Sequence, residues 1–138
     1  MAAYKPKMVI PYYGLFIIAV LMIFMYGKYR CEHKKFKDPL ETQLFLGLDG
    51  WAMTHVSFFI IVGYFYPETF YLSMVMGAGW ELFEHISGKN RPGWLGGYGG
   101  CNNLATDKET GNWFYGKWTD LVCNAIGFAI GWGLGPQG

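Results

Sequence analysis

Polar and apolar positions divide this chain into four long apolar runs with polar segments between them. The first, residues 8–27 (MVIPYYGLFIIAVLMIFMYG), carries no charge and reaches the roughly 20 residues that a membrane-crossing helix requires. Pro11 falls in its first turn, where a missing N–H is tolerated. The second run, 50–66, and the third, 69–86, are split by Pro67-Glu68, a tight turn. Each predicts a helix of about 17 residues, roughly 26 Å long. That length either just crosses a hydrocarbon core or enters it as a deep hairpin. The fourth run, 118–134 (WTDLVCNAIGFAIGWGL), predicts a last helix. Its Gly127 and Gly131 form a G-x-x-x-G pair, which lets another helix approach closely, with packing inside the chain expected ahead of a dimer seam.

The polar segments predict two further features. Residues 28–37 hold five basic side chains, Lys28, Arg30, Lys34, Lys35 and Lys37. Asp38-Pro39-Leu40-Glu41 then reads as a helix start: Asp as cap, Pro at the first position, Glu three residues after the cap. Leu40, Leu44 and Leu48 follow at spacings of four, which predicts a short helix over 39–48 lying along the membrane interface. Asp49 is placed to cap the second apolar helix. Residues 88–117 are rich in Gly and Asn and show no sustained period. A loop of that length is usually functional or disordered. Trp94, Tyr98, Trp113, Phe114 and Tyr115 argue for an ordered cap lying on the membrane surface.

Composition narrows the class. The chain has 138 residues, enough for one domain; 52% are hydrophobic and 15% charged, below the roughly 25% charge of soluble globules. Aromatic residues, at 20%, suit a membrane boundary. A net charge of +1 gives no electrostatic case for a nucleic-acid partner. The expected fold is therefore all-α: a four-helix polytopic integral membrane protein, with the lipid bilayer and other membrane subunits as partners. Lys5 and Lys7 precede the first run as in a signal peptide, but the run is too long for an h-region and no cleavage site follows. Nine of the eleven Lys and Arg fall in 28–49 and 88–117, which puts those segments on the cytoplasmic-equivalent side and both termini opposite. Cys31, Cys101 and Cys123 do not make a disulfide framework, and free thiols are expected.

Candidate chemistry gathers at one face. In a four-helix up-down chain, Asp49 and His55 start helix two on the side where helix three ends with Glu81, Glu84 and His85. Helix four starts there too, with Asp120 and Asn124. Glu81 and His85 are i, i+4, as are Asp120 and Asn124, so each pair shares a helix face. An ionisable group at a helix centre costs about 2.5–3.5 kcal/mol to insert, so such groups must be paired or wet. The leading expectation is a hydrogen-bonded network that locks helices two to four. A second is catalysis, with Glu81, Asp120 or His55 as general base on a lipid headgroup or phosphoester. A third is a divalent metal on His55, Glu81, His85 and Asp120, whose donor types suit one, although neither H-E-x-x-H nor E-x-x-H is present. Cys31-Glu32-His33 reads as solvated loop, GGYGG (96–100) as a flexible turn, and Met74 and Met76 as packing residues.

The order D-x-x-x-x-x-H, W-E-x-x-E, D-x-x-x-N-x-x-G-x-x-x-G on successive short helices resembles VanZ-like membrane proteins and related bacterial and viral families. Here it is carried by Asp49 and His55, by Trp80, Glu81 and Glu84, and by Asp120, Asn124, Gly127 and Gly131. The resemblance covers residues 49–131 and implies a polar site at a membrane face, without a particular reaction. The long loop 88–117 departs from the compact members of that group. Two function classes follow. One is a structural or accessory component of a larger membrane assembly, such as a respiratory or photosynthetic complex or a virion's inner membrane. The other is a small intramembrane enzyme, or a lipid-headgroup or metal-binding protein. No internal repeat points to transport.

Overall fold

A computed structural model describes residues 8–33, 38–90 and 118–136. Four helices dominate it. The first, α1 (Tyr12–Glu32), starts behind an extended Pro11 and runs five residues past the expected end at Gly27. Charge ends an apolar span but not a helix. Lys28 and Glu32 pair at 3.9 Å in i, i+4 register, and Arg30 turns inward. The helix closes where the His33 N–H donates to the Tyr29 carbonyl.

The expected interfacial helix over 39–48 is not formed. Pro39–Glu41 makes a single 3-10 turn. An antiparallel hairpin follows, β1 (Gln43–Phe45) with β2 (Leu48–Asp49), Phe45 opposite Leu48 and an irregularity beyond it. The two-residue loop, Leu46-Gly47, has φ of 51° and 74°. Positive φ at both positions is the signature of a hairpin turn whose twist matches its strands. A ten-residue helix is marginal in water in any case. Asp49 is also committed elsewhere, since its carboxylate accepts from the Ala52 N–H at 2.9 Å and caps α2 (Gly50–Phe65). Gly50 is required here, because a Cβ would come within 2.8 Å of the Leu40 backbone.

A 3-10 turn at Pro67–Thr69 leads into α3 (Phe70–Asn90), which ends four residues beyond the expected Ile86. The bend from α2 into α3 is 118°, so the two are not an antiparallel hairpin. The last helix, α4 (Trp118–Leu134), has the expected bounds. Of the loop expected over 88–117, residues 88–90 belong to α3 and the rest lie outside the described residues, as do its five aromatics and Cys101. Cys123 is a buried free thiol.

Helices α2 and α4 pack backbone to backbone. A Cβ on Gly127 would collide with the Val56 carbonyl, one on Gly131 with the Ile60 carbonyl, and one on Gly63 with the Phe128 carbonyl. Gly135 lies against the Tyr64 carbonyl. The partners advance together along both helices, so α2 and α4 run parallel. The G-x-x-x-G pair thus serves intramolecular packing. Around this seam Phe59, Val62 and Phe128 form the core, and Tyr12 and Leu15 of α1 join it.

Among the described residues, one helix is long and apolar enough to cross a membrane, over Tyr12–Arg30, and only 11% of that window is buried. Helices α2 and α3 pass the same test together as one bent span.

Candidate functional site

The close α2–α4 seam fixes the first pair of the site. His55 is in the second turn of α2, beside Val56, and Asn124 is one turn before Gly127 on α4. The two side chains meet, His55 Nδ1 to Asn124 Oδ1 at 2.7 Å. Asn124 is buried between helices, and α3 gives it room: a Cβ on Gly77 would come within 2.6 Å of its Nδ2. That Nδ2 has no hydrogen-bond partner among the described residues.

The other edge of the imidazole faces acid. His55 Nε2 stands 3.6 Å from Glu81 Oε1 of α3 and 3.7 Å from Asp120 Oδ2 of α4. Both carboxylates are buried, and one ligand atom from each of the three residues lies within 4.8 Å of the other two. Chemistry follows from the tautomer. An amide oxygen against Nδ1 requires Nδ1 to carry a hydrogen and donate it. A neutral ring then turns the Nε2 lone pair toward two carboxylates, three electron-rich atoms in a poorly solvated space. A proton shared between Nε2 and the carboxyl groups, or a cation among the three, suits that arrangement. Charge-assisted N–H···O contacts normally close to about 2.7–2.9 Å. Ligands about 2.1 Å from a tetrahedral ion stand roughly 3.4 Å apart, nearer the spacing seen.

The seven polar residues picked out by sequence therefore separate. His55, Glu81, Asp120 and Asn124 converge. Asp49 is buried as the α2 cap. Glu84 is half-buried and outside the ligand group. His85 is exposed, which removes it from the expected metal set. It shares a nominal face with Glu81, but side chains four apart are still about 40° off register, and α3 bends away from α2.

Beside this centre lies an apolar cavity of about 910 Å³ between α1, α2 and α3. Phe16, Val20, Ile23, Phe58, Trp80 and Phe83 contribute walls, and His55 and Asn124 reach it from the site. The cavity exists because α1 is fastened at its ends. At one end the Tyr12 hydroxyl meets Ser73 Oγ at 2.9 Å, its ring packs edge-on against Tyr66, and Tyr66 OH donates to the Ile10 carbonyl at 2.6 Å. At the other end Asp38 is a hub. It pairs with Arg30 Nη1 at 2.9 Å and accepts from Tyr26 OH at 2.6 Å, Trp51 Nε1 at 2.8 Å and the Leu40 N–H at 2.9 Å. Arg30 is 1% exposed and Asp38 is buried with it. Sequence reading finds Asp38 as a cap and misses the hub, because Arg30 counts there as loop charge. Tyr26 and Arg30 are i, i+4, so continuing the helix through Gly27 brings them onto one face.

No family profile matches the chain, and neither a curated protein nor a solved structure shows significant similarity to it.

Proposed function

We propose that this chain is a multi-pass membrane protein that holds a divalent cation between His55, Glu81 and Asp120, beneath the membrane face from which α2 and α4 both start. The carrying observation is the spacing around His55: one short hydrogen bond on Nδ1, and two buried carboxylates at 3.6 and 3.7 Å from Nε2. Those two contacts are longer than the roughly 2.7–2.9 Å of a charge-assisted hydrogen bond through His55. The membrane part is supported by apolar surface that the chain does not cover: Ile17, Leu21, Met22 and Met25 on α1, Tyr71, Val75 and Leu82 on α3, Ile126, Trp132 and Leu134 on α4. Ile17, Leu21 and Met25 recur every four residues along one face of α1, and a long exposed apolar stripe is rare on soluble monomers. In this reading 28–49 and 88–117 face the cytoplasmic-equivalent side, where Lys and Arg concentrate. The VanZ-like resemblance adds the expectation of a polar site at a membrane face.

The same uncovered faces favour a second reading, an accessory subunit of a larger membrane assembly, in which neighbouring subunits cover α1 and α4. Partner subunits co-purifying in mild detergent support it.

Elemental analysis and melting of the purified chain in non-ionic detergent test the cation. We expect about one bound divalent ion per chain, a lower Tm in EDTA, and recovery when Zn²⁺ or Mn²⁺ returns. An ion at 100 times its Kd adds about 2.7 kcal/mol of stability. Asp120→Asn, nearly the same shape, loses both the ion and the response. Ion-free protein that ignores EDTA and added metal returns the cluster to the role of a helix lock.

A further inference from the structure

We infer that the β1–β2 hairpin contacts lipid: Leu44, Phe45 and Leu46 enter the interfacial layer of the leaflet at the face from which α2 and α4 start. This rests on the membrane reading and not on the cation.

The hairpin is apolar all round. Thr42 to Gly47 are six consecutive exposed residues, and no charged residue stands between Glu41 and Asp49. Successive side chains of a strand point to opposite faces. Leu44 and Phe45 therefore project on opposite sides of the ribbon, and both are more than half exposed. A two-stranded hairpin with neither face packed is marginal in water. A docked protein covers one face of such a ribbon, whereas a lipid layer covers both faces and the tip.

Turn chemistry does not account for the residue at the tip. Two-residue loops with positive φ at both positions favour Asn-Gly or Asp-Gly. Here Leu46 holds φ 51° ahead of Gly47, in a region that large apolar residues rarely adopt. A leucine thus stands at the most exposed point of the hairpin, against the preference of the turn.

The base of the hairpin is fixed at the level where the apolar span ends. The Leu40 backbone lies against Gly50, and Asp38 ties the preceding turn to Tyr26 and Arg30 at the close of the α1 span. Trp118 marks the same level independently. Val56 faces Gly127 and Ile60 faces Gly131, so Trp118 stands about one turn beyond the start of α2. It is 76% exposed, and tryptophan concentrates at membrane–water boundaries. From Asp49 to Leu46 the chain reaches about 10 Å at 3.3 Å per residue. The interfacial layer is roughly 5–8 Å thick on each side of the hydrocarbon. The tip therefore reaches the edge of the acyl chains. Unpaired N–H and C=O groups along the strand edges stop it there, because hydrocarbon cannot satisfy them.

Fluorescence quenching of the full chain in phosphatidylcholine nanodiscs tests this. Cys31 and Cys101 are replaced by serine, and an NBD label is placed at Phe45→Cys, Leu46→Cys or Leu21→Cys. The same chain without an added cysteine sets the background from Cys123, and each sample is checked for helicity and monodispersity. The Leu21 position, on the exposed stripe of α1, reports on the membrane reading alone. We expect both hairpin labels to lose about half their emission to 5-doxyl phosphatidylcholine and to resist aqueous iodide. Adding Leu46→Asn, which suits the turn and removes the apolar tip, should cut lipid quenching at Phe45→Cys by about half and admit iodide. Hairpin labels open to iodide beside a lipid-quenched Leu21→Cys overturn the inference and leave the membrane reading standing. Iodide access at all three positions overturns both. Hairpin labels that neither quencher reaches show a protein cover, either a partner subunit or residues 91–117, and also overturn the inference.

Discussion

At the scale of single residues, the centre depends on side chains that are missing as much as on those present. Asn124 reaches His55 because Gly77 leaves room for its amide. Gly77→Ala puts a methyl 2.6 Å from Nδ2, so Asn124 must shift away from His55 Nδ1. We expect a loss of about 1–3 kcal/mol, as for other overpacked sites, read as a lower Tm in detergent. Gly79→Ala, two residues along the same helix, meets nothing within 4 Å. It should raise the Tm slightly, since Ala is the better helix former by up to about 1 kcal/mol. A similar fall in both variants would mean that the Asn124 contact is not what Gly77 protects. Sequence alone brings this centre partly into view. The i, i+4 rule correctly pairs Asp120 with Asn124, because α4 lies along α2 through the glycine seam. The same rule applied to Glu81 and His85 fails, because α3 bends away from α2 and His85 is exposed.

At the scale of elements, sequence period works where length and burial agree with it. The bounds of α4 are recovered, and α2 differs by one residue, because each is a predominantly apolar run between strong stops. The segment 39–48 shows the failure. Leu40, Leu44 and Leu48 keep a helical spacing, yet Leu44 is exposed and Leu46, 91% exposed, occupies a positive φ. Gly47 and the Asp49 cap override three leucines when only ten residues are available. The α2–α4 seam makes a sharper prediction, because its contacts are backbone to backbone and cannot be relieved by a rotamer change. Gly131→Ala should separate the two helices at Ile60 and cost upward of about 2 kcal/mol. It should also weaken cation binding, since His55 and Asp120 sit on the two helices being separated. Gly133→Ala, where a Cβ meets nothing within 4 Å, is the matched control and should leave melting within about 0.5 kcal/mol of the parent. Indistinguishable melting of the two variants would show that the helices part at no cost.

At the scale of the whole molecule, the question is what holds α1 to the other helices, since the cavity separates them along its middle. Hydrophobic burial is weak there: 11% of the spanning window is covered, and in a bilayer lipid would replace what contact remains. The fastening is therefore polar and local, Tyr12 with Ser73 at one end and Arg30 with Asp38 at the other. The second is the stronger, because it takes four interactions on one buried carboxylate and joins three elements: α1 through Tyr26 and Arg30, the 3-10 turn through Leu40, and α2 through Trp51. Removing one member of a buried pair typically costs about 3–5 kcal/mol. Asp38→Asn should thus lower the Tm more than Ser73→Ala, which gives up two neutral hydrogen bonds, to Tyr12 and Thr69, worth about 1 kcal/mol each. If α1 is released at that end, the cavity opens, and protease cleavage near residues 28–37 should accelerate in Asp38→Asn but not in Ser73→Ala. The double change Arg30→Met with Asp38→Leu separates charge from shape. Apolar replacements of a buried pair are often neutral or stabilising, so the double variant should recover most of the melting temperature lost by Asp38→Asn. A double variant as weak as the single one would mean that Tyr26 and Trp51, deprived of their shared acceptor, carry the loss instead of the orphaned guanidinium.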